Sequence, residues 1–296
     1  MQNQNHNLQN WILVILLTLI WGSSYMLMKL GLHGFTAVEL GCLRISISFL
    51  VSLPLAVKGF MAIPRSKYKV IAAIGVFGSG IPAFLFPLSM EHSHNGSAIN
   101  GVLNSLSPLW TLLIGYFLFQ VVMPRDKVIG VVIGFLGALV LVLGKRDAGF
   151  KVDLFYSALP VIATMCYGMS TNITKQKMQT MNPLLTTSMA MSIIGVPAFA
   201  GLLTTGAPAK ILSGSVIAPF LAIVVLAVVG TLVAWILFYR LVQRTDALFG
   251  ASVTYLVPIV AVSLGLFDGE ILTLMQMGGM LLILLGVYFT TRVKKV

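Results

Sequence analysis

The chain has 296 residues, of which 58% are hydrophobic and only 9% are charged, and its mean hydropathy is +0.97. Because soluble domains carry about 25% charged residues, this composition excludes a soluble globular protein and indicates a polytopic membrane protein. A net charge of +11 would suggest a nucleic-acid partner in a soluble protein, but here the basic residues lie mostly in short connections between apolar runs. Basic residues in such connections orient a chain in the bilayer, so we expect the lipid bilayer as a partner and no nucleic acid.

The predicted elements begin with a tail, residues 1–10, that lacks Lys and Arg. No small-residue cleavage site follows the first apolar run, so no cleavable signal peptide is expected. A membrane-spanning helix needs about 20 mostly apolar residues. By this criterion the chain contains ten predicted spans, numbered one to ten, at residues 11–31, 36–57, 68–90, 96–122, 127–144, 153–177, 183–204, 216–243, 247–267 and 272–291.

Lysine and arginine are unevenly divided between the two sets of connections. One set holds 13 of them, the opposite set holds five, and Arg44 within span two completes the total of 19. Because positive charge favours the cytoplasmic side, the richer set is predicted to face the cytoplasm. We therefore expect a bacterial cytoplasmic (inner) membrane protein with both termini inside, and with residues 292–296 as a basic cytoplasmic tail.

Residue patterns in the first half of the chain recur in the second half. Gly22, Ser24 and Lys29 reappear 146 residues later as Gly, Ser and Lys, and Pro108 reappears 150 residues later as Pro258. Small residues can recur because helices pack through them, but the matches here keep their order along the chain. We predict two five-span copies, residues 11–144 and 153–291, joined by an extracytoplasmic linker at 145–152. Since five is odd, the second copy would be inverted, as in many secondary transporters.

Several ordered motifs resemble the EamA-type branch of the drug/metabolite transporter superfamily. They are WGSSYMLMK in span one, RISISFLVSLPLA in span two, GSAINGVLNSLSPLWTLL in span four, GASVTYLVPIVAVSL in span nine, and FDGE followed by GGMLLILLGV at span ten. One departure is Gln120, which stands 150 residues before Glu270. An acidic residue at position 120 would complete the symmetry between the two halves. The resemblance covers nearly the whole chain, and it implies transport of amino acids, sugars or other small metabolites, often outward.

One face of span one carries aromatic rings and a hydroxyl, and the matching face of span six carries a related set. The residues are Trp21, Ser24 and Tyr25 in span one, and Tyr167, Ser170 and Thr171 in span six. Hydroxyls gain nothing from facing lipid, whereas in a water-filled cavity they can bind a substrate beside a stacking ring. The alternative is that these small residues serve close helix packing.

Five further residues are candidates for substrate binding. Asn100 and Asn104 lie one turn apart in span four, and amides in hydrocarbon need partners. Arg44 is a charge within a span; it could reach the interface, pair with Glu39 or bind a carboxylate. The other two candidates, Trp235 and Tyr255, could stack on a ligand or simply pack.

Rival functions are less consistent with the residues. An intramembrane protease needs histidine or paired aspartates inside spans, but every His and Asp here falls in a tail, loop or helix edge. A channel needs a longer polar lining, and a nucleotide-sugar carrier needs several cavity cations. A neutral or zwitterionic metabolite such as an amino acid is favoured, with a sugar or nucleotide-sugar carrier, a drug carrier and a proton-coupled antiporter as alternatives.

The expected mechanism is alternating access without a cofactor or a bound metal. Pro108 and Pro258 would bend spans four and nine as hinges, since proline removes a backbone hydrogen bond within a helix. Acidic relay residues are lacking inside the spans apart from Glu39 near an edge, so a facilitator is predicted. The glycine-rich faces of spans five and ten could serve a homodimer or internal packing, so a monomer and a homodimer both stay open.

Overall fold

The computed structural model describes residues 2–92, 100–101, 103–143, 154–267 and 274–291, and every regular element in these ranges is a helix. The predicted all-α class is therefore confirmed. In chain order the α-helices are α1 (Gln2–Leu32), α2 (Ala37–Ala62), α3 (Tyr68–Gly75), α4 (Pro82–His92), α5 (Ser107–Phe119), α6 (Arg125–Leu143), α7 (Leu154–Lys177), α8 (Pro183–Leu203), α9 (Ala207–Leu212), α10 (Ile217–Ala227), α11 (Ala234–Arg244), α12 (Ala247–Ala251), α13 (Val253–Phe267) and α14 (Leu274–Thr291).

Several of these helices have the length and composition of membrane spans. Among the described residues, five continuous helical stretches satisfy both criteria, namely Leu8–Leu32, Ala37–Ala62, Arg65–His92, Pro183–Leu203 and Ile217–Arg244. Shorter apolar helices occupy Ser107–Phe119, Ala247–Val260 and Met277–Thr290. The chain is thus a membrane protein, while the number of ten spans and the inversion of the second half stay predictions.

Helix boundaries differ from the predicted ones at several points. α1 begins at Gln2 rather than at residue 11, so the predicted tail is largely helical. α2 continues to Ala62 rather than ending at residue 57, and Pro54 lies inside it. The linker at 145–152 and the connection at 268–271 lie outside the described residues.

Two π-helical segments interrupt the α-helices at related places. Val76–Gly80 joins α3 to α4, and Val228–Val233 joins α10 to α11. The first segment is closed by the N–H of Ile81, which donates to the carbonyl of Val76 five residues earlier at 2.9 Å. A π turn holds one residue more than an α turn, and such turns occur often at functional sites. These two segments start 152 residues apart, in predicted spans three and eight.

The helices of predicted spans four and nine are each interrupted a few residues before the predicted hinge proline. Span four is interrupted by a turn at 105–106, and Pro108 lies in the first turn of α5, where its missing N–H costs nothing. In span nine the break is at Ser252, and Pro258 lies inside α13. α13 runs on past Pro258 to Phe267, and the expected bends at the two prolines stay predictions.

The glycine-rich faces of spans five and ten pack against each other within the chain. A Cβ added to Gly286 of α14 would lie 2.4 Å from the backbone N of Gly134 in α6. A Cβ on Gly130 would lie 2.7 Å from the backbone N of Thr290. Since both distances are shorter than any real Cβ contact, only glycine allows this approach. Internal packing is thus the observed use of these faces.

Candidate functional site

A cavity lies between the middle parts of the helices, and about 610 Å³ of empty space, part of it open to solvent, belongs to it. It is lined by residues from both halves of the chain, which are Trp21, Ser24, Tyr25, Met28, Arg44, Phe86, Asn104, Ser107, Tyr167, Thr171, Trp235, Phe238, Ala251 and Thr254.

Aromatic rings form a continuous wall around this cavity. Phe86 stacks on Tyr167 with ring centroids 5.9 Å apart and an interplanar angle of 24°, and Tyr25 meets Phe86 edge-on at 6.2 Å. Trp235 contacts Tyr167 at 5.6 Å and Trp21 at 5.8 Å. Aromatic pairs at these separations stabilise one another, so the wall is held in place before any ligand arrives.

Arg44 supplies the positive charge of the cavity, and its side chain is only 8% exposed. Its Nε donates to the hydroxyl of Thr231 at 2.6 Å, whereas its two terminal nitrogens have no hydrogen bond or ion pair within the described part of the chain. Glu39 does not pair with it, because that carboxylate bonds Lys210 at 2.7 Å and the backbone N of Thr36 at 2.8 Å. The guanidinium therefore faces the cavity with unused donors.

No acidic residue is among the described residues that line the cavity, and several of the lining residues carry hydrogen-bond donors. The indole N–H groups of Trp21 and Trp235 and the hydroxyl of Tyr167 donate to no residue in the described ranges. The hydroxyl of Thr171 instead donates to the carbonyl of Tyr167 at 2.7 Å, which leaves its oxygen able to accept.

The two asparagines predicted as a pair have different surroundings. Asn100 is fully buried away from the cavity; its amide accepts from Ser89 at 2.9 Å and donates to the carbonyl of Phe86 at 3.1 Å. Asn104 lines the cavity, and its Nδ2 donates no hydrogen bond within the described residues. The first amide thus connects the 100–104 segment to α4, and the second is available to a ligand.

Ser24 and Ser170 both lie at close helix crossings against the π-helical segments. A Cβ on Gly230 would lie 2.9 Å from the Ser24 Oγ, and a Cβ on Gly78 would lie 2.8 Å from the Ser170 Oγ. Ser24 also borders the cavity, but Ser170 lies behind it and donates to the carbonyl of Ile74 at 3.2 Å. Close helix packing, the alternative to substrate binding, therefore explains why residue 170 is a small serine. For Ser24 it is part of the explanation.

Tyr255 lies away from the cavity. Its hydroxyl donates to the carbonyl of Val131 at 2.8 Å, and its ring fills the space left by Gly134. The side chain joins α13 to α6 and packs beside Ile283 of α14.

Six lining residues were not predicted from the sequence as substrate-binding residues: Met28, Phe86, Ser107, Phe238, Ala251 and Thr254. Two of them carried a usable signal, since Phe238 follows Trp235 at helical spacing and Thr254 is offset from Asn104 by 150 residues. Phe86 gave none, because it lies in a run where almost every residue is apolar.

A helical membrane protein whose cavity is lined by aromatic rings and, within the described residues, by one cationic side chain has the features of a solute transporter. The profile of the EamA-like transporter family matches the chain twice, at residues 9–143 and 154–292, and the chain belongs to this family. The resemblance noted from the motifs is thereby confirmed.

Relatives with similar sequences are also named as transporters. The chain is 24% identical to an uncharacterized transporter of Archaeoglobus fulgidus, over 96% of this chain and 99% of that protein. It is 26% identical to a probable amino-acid metabolite efflux pump of Salmonella typhimurium, over 93% of this chain and 92% of that protein. It is 24% identical to the uncharacterized inner membrane transporter YedA of Escherichia coli K12, over 84% of this chain and 79% of that protein.

A solved crystal structure has a similar fold. It superimposes with a TM-score of 0.70 and 17% sequence identity, and the match covers 95% of each chain. At this level of sequence identity the match shows a similar fold and nothing about function.

Proposed function

We propose that this protein is an alternating-access exporter of a small metabolite that carries a carboxylate, with an aromatic amino acid as the best candidate. Family membership and the name of the Salmonella typhimurium relative support export of an amino-acid metabolite. The proposal includes residence in a bacterial cytoplasmic membrane with both termini inside. The name of the inner membrane transporter YedA supports the choice of membrane.

The observation that carries the substrate proposal is the unpaired guanidinium of Arg44 in the cavity wall. A buried charge is costly unless it is paired, so an empty cavity holds a cation that lacks its anion. A substrate carboxylate would fill that need with bidentate hydrogen bonds. The aromatic wall suits the rest of an amino acid, because rings bind both a flat side chain and an ammonium group through its attraction to the ring face.

The charges around the cavity favour facilitated transport over proton coupling. A proton relay commonly uses Asp, Glu or His inside the spans, and no such residue lines the cavity in the described ranges. Glu39, the nearest candidate by sequence, is engaged with Lys210 and with the start of α2. Substrate would then move down its own gradient, outward from a cytoplasm that contains more of it.

Counterflow in proteoliposomes tests both parts of the proposal. Vesicles preloaded with unlabelled L-phenylalanine should accumulate labelled L-phenylalanine transiently without any ion gradient. Arg44→Gln should abolish this uptake, and Arg65→Gln in an exposed connection should preserve it. Uphill uptake driven by an imposed pH gradient and lost in Glu39→Gln would contradict facilitation. Wild-type vesicles that show no counterflow would contradict the substrate.

A further inference from the structure

The hydroxyl of Thr231 makes an unusual bond to its own helix. In regular α-helices of this chain, Thr18 and Thr111 donate to the carbonyls four residues earlier, both at 2.8 Å. Thr231 lies within the π-helical segment Val228–Val233 and donates to the carbonyl of Leu226, five residues earlier, at 3.0 Å. The extra residue of the π turn accounts for this reach.

That bond determines how the Thr231 hydroxyl can hydrogen-bond with Arg44. A hydroxyl has one hydrogen and two lone pairs, and here the hydrogen is already committed to the helix. The oxygen can therefore only accept from Arg44, whose Nε donates to it at 2.6 Å. Thr231 is fully buried, so water does not compete for this contact.

The contact also determines which edge of the guanidinium stays available. A guanidinium can bind a carboxylate in bidentate fashion through its two terminal nitrogens or through Nε and one terminal nitrogen. Because Nε is occupied by Thr231, the edge with the two terminal nitrogens is left for the cavity. Ser48 secures the helix backbones beside it, since its Oγ lies 2.8 Å from the carbonyl oxygens of both Arg44 and Ala227.

We propose that Thr231 is a positioning residue that makes the cavity selective for carboxylates by orienting Arg44. The proposal rests on the function proposed above, because it assumes that Arg44 binds the carboxyl group of the substrate. Thr231 itself need not touch the substrate, and it does not line the cavity. The π turn is the part of the helix that brings its hydroxyl to the guanidinium.

The test compares affinities for three probes measured from ligand-induced shifts in the melting temperature of purified protein. L-phenylalanine carries both charged groups, benzoate carries only the carboxylate, and phenethylamine carries only the amine. Thr231→Val should weaken binding of L-phenylalanine and benzoate about 10-fold, the effect of losing a hydrogen bond to a charged group, and leave phenethylamine unchanged. Thr231→Ser should restore wild-type affinities. Thr18→Val, which removes a buried hydroxyl away from the cavity, is the matched control.

The outcomes separate the two proposals. Equal weakening for all three probes, or no weakening in Thr231→Val, would overturn the positioning role. Benzoate that binds with full affinity to Arg44→Gln, or that does not bind wild-type protein, would overturn it as well. Wild-type protein that binds benzoate and not L-phenylalanine would refute only the amino acid, because the carboxylate subsite would stand.

Discussion

Two asparagines one turn apart illustrate how identical residues acquire different roles. Both amides are buried, and the sequence offers no way to rank them. The structure separates them because Asn100 has partners from α4 on both sides of its amide, whereas the Asn104 Nδ2 has none within the described residues. Trp21 and Tyr167, which helical spacing put forward, both border the cavity. Helical spacing cannot show which polar groups already have hydrogen-bond partners on neighbouring helices.

Substitution of the two asparagines should therefore have opposite effects. Asn104→Ala should weaken L-phenylalanine binding about 10-fold and leave the melting temperature nearly unchanged, since the Ser107 hydroxyl keeps its 2.7 Å bond to the backbone carbonyl of residue 104. Asn100→Ala should cost about 1–3 kcal/mol of stability, because it removes the bond to the Phe86 carbonyl and leaves the buried Ser89 hydroxyl without its partner. Thermal unfolding with and without ligand measures both quantities. Loss of stability in Asn104→Ala with unchanged affinity would make that residue part of the core.

Among whole elements, long apolar helices were predictable and local irregularities were not. About 20 apolar residues in a row predict a span, which is why α2 and α8 agree with prediction to within about five residues at each end. The π segments carry no pattern of their own in the sequence. Each packs closely against a serine of the other predicted half, Gly230 against Ser24 and Gly78 against Ser170. Those two contacts join corresponding positions of the predicted halves, which supports the internal repeat.

Glycines on one helix should differ sharply in their tolerance of side chains. Gly286 of α14 faces α6 at a distance that admits no Cβ, whereas a Cβ on Gly278 of the same helix would meet nothing within 4 Å. Gly286→Val should lower stability by about 1–3 kcal/mol through overpacking, and Gly278→Val should change it little. Melting temperatures in detergent provide the comparison. Equal losses in both variants would mean that the close approach of α6 and α14 does not explain the need for glycine at position 286.

Across the whole molecule, polar bonds connect the predicted halves on both predicted sides of the membrane. Lys127 at the start of α6 lies 2.5 Å from Asp246, and the latter also accepts from two backbone N–H groups at the start of α12. Within the second half, Lys175 donates to the carbonyl of Thr245, next to Asp246. On the predicted opposite side, Lys210 bonds Glu39. A change of access between the two sides would have to loosen such contacts in turn.

The inverted arrangement can be tested by the accessibility of introduced cysteines. Ser66→Cys and a cysteine after residue 296 should react only with a reagent that reaches the cytoplasm. Gly149→Cys, at a position outside the described residues, should react from outside. Cys42 and Cys166 are buried, and replacing both by Ala first removes any background. Labelling of positions 66 and 149 from the same side would eliminate the inversion and the alternating mechanism derived from it.

The uncompensated charge of Arg44 has an electrical consequence for the transport cycle. A zwitterionic substrate leaves the net charge of the cavity the same in the loaded and the empty carrier. The membrane potential therefore acts alike on the change of access of the loaded carrier and on that of the empty carrier. A monoanion neutralises the guanidinium when it binds, and only the empty carrier then responds to the potential. Moving one elementary charge across the whole membrane potential changes its free energy by about 2.3 kcal/mol per 100 mV. With the interior negative, this bias would return the empty carrier to the cytoplasmic side, where an exporter reloads.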